Sequence, residues 1–131
     1  MPVQYAIDVE HHFVRTILSG VVTSHEVADC ASKLRNDVEF SPQLSELIIF
    51  EGMPDIQVHY LDWQSLADRD PFSNSSKRAF VARSSTALYG AIRVFQTARN
   101  DPPNIRVFET TDDALLWLAL PQGFAHAEGR D

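Results

Sequence analysis

Two short apolar runs, each followed by an amphipathic segment, constrain the fold of this chain most strongly. Residues 47–50 and 79–82 are unbroken apolar stretches, which is typical of strands that are buried on both faces of a sheet. The segments that follow them repeat apolar residues at helical spacing. Alternation of buried strands with amphipathic helices predicts an α/β domain with a mostly parallel sheet.

The N-terminal residues predict an antiparallel edge to this sheet. Residues 3–8 alternate apolar and polar side chains, and residues 13–18 form a second strand after a short polar turn. With a last strand over residues 105–108, this gives about five strands and about four helices in layers. The crossovers between the parallel strands are expected to be right-handed.

Capping residues and Asp-Pro pairs mark the predicted helices. Thr23 and Glu26 have the spacing of a capping box, which predicts a helix over residues 24–36. Helices over residues 60–69 and 85–100 are each followed by an Asp-Pro pair, and Thr111 is predicted to cap the final helix. Residues 1–120 are then one domain, and residues 121–131 are a flexible tail.

Charge and composition exclude several classes of partner. The chain has 131 residues, of which 11 are basic and 18 are acidic. The formal net charge of −7 argues against nucleic acid or an anionic membrane as the main partner, because phosphate contacts need clustered positive charge. The chain lacks a long apolar run and a signal-peptide pattern. We therefore expect a cytoplasmic protein that does not insert into membranes.

The sequence shows no catalytic or metal-binding pattern. The five histidines are scattered without a His-x-x-x-His pair, so we expect no metal site. Cys30, the only cysteine, falls on the apolar stripe of the first helix, where burial keeps a thiol unreactive. Nucleophile-elbow and common nucleotide-loop motifs are absent from the sequence. We therefore expect neither an enzyme nor a bound cofactor.

Three short motifs give the chain a resemblance to a known family. A strand over residues 78–82 precedes a Tyr-Gly-x-x-Arg helix over residues 88–95, and an Asp-Ala-Leu-Leu-Trp-Leu helix covers residues 113–118. In these motifs and in element order, residues 3–120 resemble the sulphate-transporter and anti-sigma-factor-antagonist (STAS) fold, in particular its small standalone bacterial members. The resemblance implies a non-enzymatic binding or regulatory module.

The chain departs from the anti-sigma-factor antagonists of that fold at one place. Those proteins carry a phosphorylated serine at the start of the second helix. The comparable residues 58–63 read Val-His-Tyr-Leu-Asp-Trp and contain neither serine nor threonine. The resemblance therefore does not extend to a kinase-operated switch.

The start of the third helix is the predicted ligand site. Ligands of open α/β sheets bind beyond the carboxyl ends of the strands. Free amides, small hydroxyls and a guanidinium at this point would suit a phosphate or a carboxylate. Plain helix capping is the alternative interpretation of the same residues. The predicted ligand-binding residues are Arg83, Ser84, Ser85 and Thr86.

Two further helix faces are candidates for an interaction surface. Tyr89, Arg93 and Gln96 have the spacing of a single face of the third helix. The final helix, residues 114–120, is apolar on every side and includes Trp117. Closed two-fold symmetry is the commonest way to bury such a surface. We therefore predict a homodimer, and burial under the chain's own tail is the alternative.

The function predicted from these features is a regulatory or protein-interaction module of the STAS-like type, without catalysis. The alternative is a carrier or sensor of a small anionic or apolar ligand, with a pocket at the carboxyl ends of the strands. A closed apolar pocket with convergent polar groups would favour the ligand, and a flat surface would favour a protein partner.

Overall fold

A computed structural model describes residues 2–59, 62–82, 86–99 and 104–120. The strands are β1 (Val3–Asp8), β2 (Phe13–Leu18), β3 (Val21–Thr23), β4 (Ser45–Phe50), β5 (Asp55–Gln57), β6 (Arg78–Val81) and β7 (Ile105–Phe108). The helices are α1 (Ser24–Arg35), α2 (Asp62–Asp68), α3 (Thr86–Arg99) and α4 (Thr111–Leu118). The predicted tail, residues 121–131, lies outside the described residues.

Five of the strands form one sheet in the order β1-β2-β4-β6-β7. Strands β1 and β2 pair antiparallel, and the other neighbouring pairs are parallel. This confirms the α/β class, the mostly parallel sheet and the N-terminal hairpin. Strands β4 and β6 are both interior, which explains their unbroken apolar sequences, because side chains on both faces are covered.

A second, two-stranded sheet pairs β3 with β5 in parallel. These two strands are not predicted from the sequence. Each has three residues, which is too short for an alternating pattern to be recognised against the surrounding turns.

Helices cover both faces of the large sheet. Helix α4 packs on one face, where Ala114, Leu115 and Leu118 meet Leu47 and neighbouring side chains of the sheet. Helix α3 lies on the opposite face, where Ile92 meets Ile48. Successive residues of a strand point to opposite faces, so β4 contributes to both layers. Helix α2 contacts both α1 and α3, and these three helices form one layer.

The helix ends follow the predicted capping chemistry with one difference. At α1, the Thr23 side chain accepts from the Glu26 amide and the Glu26 side chain accepts from the Thr23 amide, which confirms the capping box. Thr110, and not Thr111, caps α4, because its side chain accepts from the Asp113 amide. Thr110 and Thr111 both have a hydroxyl that could cap the helix. Thr110 is the cap because its backbone is extended, as an N-cap residue requires.

Candidate ligand cavity

A cavity of about 140 Å³ lies between the sheet and the layer of α1, α2 and α3. Its wall is predominantly apolar. The sheet contributes Ile48, Phe50 and Phe80, and the helices contribute residues such as Leu34 and Ile92. The wall extends from these core residues to the exposed Arg69 at the end of α2. The cavity therefore reaches from the middle of the domain toward its surface.

Polar side chains meet at one end of this cavity. Glu46 and Arg78 are each only 5% exposed. The Nε of Arg78 donates to Glu46 Oε1 at 3.0 Å, and its Nη2 lies 2.8 Å from the same oxygen. The Nη1 of Arg78 bonds to the carboxylate of Asp70. The hydroxyl of Thr16 donates to Glu46 Oε2 at 2.6 Å. We call these four residues the buried polar network.

Strand register explains how the sequence assembles this network. Glu46 and Arg78 are direct neighbours in the pairing of β4 with β6, and Val14 is the neighbour of Glu46 on β2. Thr16 is two residues beyond Val14 and therefore points to the same face of the sheet. Asp70 arrives from the loop after α2. Three strands and one loop thus converge at the amino ends of β4 and β6.

Burial and pairing act in opposite directions on these groups. Burial raises the pKa of Glu46, although Arg78 and the Thr16 hydrogen bond oppose the shift. Burial by itself would lower the pKa of Arg78, but Glu46 and Asp70 together raise it above its ordinary value. Arg78 therefore stays protonated. The three hydrogen-bonding contacts that Glu46 accepts favour its ionised form, and burial favours its protonated form.

Aromatic rings surround the guanidinium and continue along the cavity wall. The guanidinium carbon of Arg78 is 4.4 Å from the ring centroid of Phe72 and 5.4 Å from that of Phe95. The Phe95 ring in turn lies 6.2 Å from Trp63 and 6.3 Å from Phe80, in edge-to-face geometry. The faces of the guanidinium are thus covered by rings, and its nitrogens by carboxylates.

Cys30 lies on the cavity wall and is half-buried. Cys30 is thus less buried than the core residue that the sequence predicts, because its side chain borders the cavity. Burial first, and the charge of Glu46 second, raise the pKa of the Cys30 thiol to about 12. The thiol is therefore protonated at neutral pH and is a poor nucleophile.

The predicted ligand site at the start of α3 is only partly described. Arg83, Ser84 and Ser85 lie outside the described residues, and Thr86 is the first residue of α3. The buried polar network lies at the amino ends of β4 and β6, whereas these four residues follow the carboxyl end of β6. The prediction for Arg83 to Thr86 stays a prediction.

Sequence reasoning missed the buried polar network, although the sequence carried a signal for it. Glu46 and Arg78 each stand directly before an unbroken apolar run. Opposite charges at equivalent positions of two parallel strands are expected to meet when the strands are neighbours. The adjacency of β4 and β6 was the missing information.

The three predicted residues on α3 differ in their environment. Tyr89 is half-buried against the core, and its hydroxyl lies 3.5 Å from Glu109 Oε2. The Nε2 of Gln96 donates to the carbonyl oxygen of Ile105 at 2.7 Å, which ties α3 to β7. Arg93 is exposed. Of the three, Arg93 presents the most open side chain to a partner.

Trp117 is half-buried on the opposite side of the sheet. Its ring lies 5.7 Å from that of Phe108. The ring is also 5.2 Å from Lys77 Nζ and 5.5 Å from the guanidinium carbon of Arg106. The next residue back along α4, Leu116, is 66% exposed. The Trp117 ring of α4 is thus flanked by two cations from neighbouring segments, and Leu116 is the open leucine of the helix.

Comparison of the chain with models of protein families, with curated proteins and with solved structures gives no match. Within the described residues, no three His, Cys, Asp or Glu side chains are grouped so that they could hold a metal ion. The helices in the described part of the chain are too short or too polar to cross a membrane.

Proposed function

We propose that this chain is a non-enzymatic cytoplasmic module that binds a small ligand between its sheet and the layer of α1, α2 and α3, as a carrier or sensor. The observation that carries the proposal is the apolar cavity with a convergent polar network at one end. Binding sites for small molecules have this combination of an apolar wall and a few placed polar groups.

The size of the cavity is consistent with a ligand of about one ring. An engineered apolar cavity of about 150 Å³ is known to bind benzene, and the volume here is about 140 Å³. A larger ligand would need the helical layer to move outward. The resemblance of the sequence motifs to the STAS fold supports a regulatory use of binding and not a catalytic one.

The proposal is tested by narrowing the cavity. Ala31 of α1 lies on the cavity wall, and Ala31→Leu would reduce its volume. The matched control is Ser32→Leu, one position away on the exposed surface of the same helix. The measurement is the melting temperature of each variant with a panel of single-ring compounds.

We expect at least one compound to raise the melting temperature of the native chain and of Ser32→Leu but not of Ala31→Leu. A panel without any effect on the native chain contradicts ligand binding in this cavity. If the compounds shift the melting temperatures of Ala31→Leu and Ser32→Leu equally, they bind outside this cavity.

A second candidate function is binding of a protein partner, which includes a second copy of the chain. The exposed Leu116 on α4 favours it, because an exposed leucine suits a partner surface. This surface lies on the face of the sheet opposite to the cavity, so the two functions do not compete for the same residues.

A further inference from the structure

The hydrogen bonds of the buried polar network determine which ligand groups it can accept. Each of the three guanidinium nitrogens of Arg78 already contacts a carboxylate. Thr16 gives its hydroxyl proton to Glu46. Within the described residues, no donor is directed to the Thr16 oxygen, which retains its capacity to accept. Within the buried polar network, the group that is open to a new hydrogen bond is therefore an acceptor.

The charges of the network act in the same direction. When both carboxyl groups are ionised, Glu46 and Asp70 contribute two negative charges and Arg78 contributes one positive charge, so the network is then negative by one. Arg69 also lines the cavity, but it is exposed to solvent at its outer end. A second negative charge beside a buried carboxylate is disfavoured in a medium of low polarity.

The chain itself contains a group that reports this effect. Cys30 lies on the same wall, and burial together with the charge of Glu46 raises its pKa to about 12. The wall thus disfavours an anion even when that anion belongs to a side chain of the protein. A carboxylate or phosphate ligand would meet the same two penalties.

The proposed function, on which this inference rests, leaves the class of the ligand open. We infer that the cavity takes a neutral, ring-sized apolar molecule with one hydrogen-bond donor, of the phenol type, whose hydroxyl donates to Thr16. The aromatic wall formed by Phe80, Phe95 and Trp63 would contact the ring. Of the anionic and apolar ligands expected from the sequence, the structure thus favours the apolar class.

The inference is tested with three probes of similar size, benzene, phenol and benzoate, titrated against the full chain by calorimetry. Phenol and benzene differ by one hydroxyl, and benzoate adds a negative charge. Thr16→Val removes the acceptor while it keeps the shape of the side chain. Thr16→Ser keeps a hydroxyl and is the matched control.

The quantity to compare is the ratio of phenol affinity to benzene affinity in each protein, because this ratio cancels effects on the cavity as a whole. We expect Thr16→Val to lower the ratio about fivefold, the change typical of one lost hydrogen bond, and Thr16→Ser to leave it unchanged. Benzoate is expected to bind the native chain at least about tenfold more weakly than phenol.

The outcomes separate the two proposals. If neither benzene nor phenol binds the native chain, ligand binding in the cavity is wrong. If both bind but Thr16→Val leaves the ratio unchanged, or benzoate binds as tightly as phenol, the cavity binds ligands but the inferred class is wrong. Should Thr16→Val fail to fold, the comparison of benzoate with phenol on the native chain still decides.

Discussion

Arg78 and Glu46 lie side by side on adjacent parallel strands, with Arg78 Nη2 2.8 Å from Glu46 Oε1. Each is buried, so neither charge can recover its hydration if the other is lost. Removal of one partner of a buried ion pair is far more costly than the net contribution of the pair itself. We therefore expect single substitutions of Arg78 or Glu46 to have the largest effect on the free energy of unfolding.

Arg78→Leu is expected to lower the free energy of unfolding by about 3–5 kcal/mol, because two buried carboxylates lose their cation. The matched control is Arg93→Leu, which changes an exposed arginine and is expected to cost less than about 0.5 kcal/mol. Urea unfolding of both variants measures the difference. Equal costs would contradict the buried network.

The raised pKa of Glu46 predicts a pH dependence of stability. A carboxyl whose pKa is higher in the folded state binds its proton more tightly when folded. Its contribution to stability is complete below the ordinary pKa of 4.5 and is lost as the pH rises through the folded pKa. We therefore expect the stability difference between the native chain and Glu46→Gln to fall as the pH rises from 4.5 toward neutral.

Unfolding by urea at several pH values measures this difference, and the comparison with Glu46→Gln cancels the titration of groups that do not interact with Glu46. A difference that instead rises with pH would mean that pairing with Arg78 outweighs burial and lowers the pKa of Glu46.

Cys30 should react slowly with thiol reagents in the folded protein. With a pKa of about 12, its thiolate fraction at neutral pH is on the order of a thousandfold below that of a free cysteine. Labelling is expected to accelerate in denaturant, and saturating phenol should slow it further if the cavity is occupied. Fast labelling of the native chain would show that the cavity wall is open to solvent at α1.

Leu116 is the residue to change in a test of self-association. We expect the 14.7 kDa chain to sediment as a dimer at micromolar concentration. Leu116→Asp should shift it to the monomer, because a charged side chain would replace an apolar one at the dimer interface. Val38→Asp is the control, since Val38 is also exposed and lies away from α4. A native chain that stays monomeric over a wide range of dilution rules out the homodimer.

The strands of the large sheet could be predicted closely because their signals are local. The strands over residues 3–8, 13–18 and 105–108 have the predicted bounds. The patterns of apolar and polar residues that indicate a strand can be recognised within a few consecutive residues. The observed α2 and α3 lie within the predicted ranges, and the flanking positions 60, 61, 85 and 100 are outside the described residues.

The cavity could not be predicted in the same way. Its polar end depends on Glu46 being the neighbour of Arg78, and its apolar part depends on how far α1 stands from the sheet. Both are properties of strand order and helix packing, which no window of consecutive residues contains. The helical spacing of apolar residues in α1 predicted which face Cys30 occupies, but not that this face borders a cavity.

The placement of α4 on one face of the sheet and of α1, α2 and α3 on the other has a consequence for hydrogen exchange. The apolar cluster under α4 and the clusters under the three-helix layer lie on opposite faces of the sheet, so we expect the three-helix layer to open as a separate cooperative unit while the contacts of α4 stay intact. Amides of the short helix α2 would then exchange well before those of β4 and β6. The sheet with α4 would serve as the stationary half of the domain, and the helices over the cavity as the half that moves.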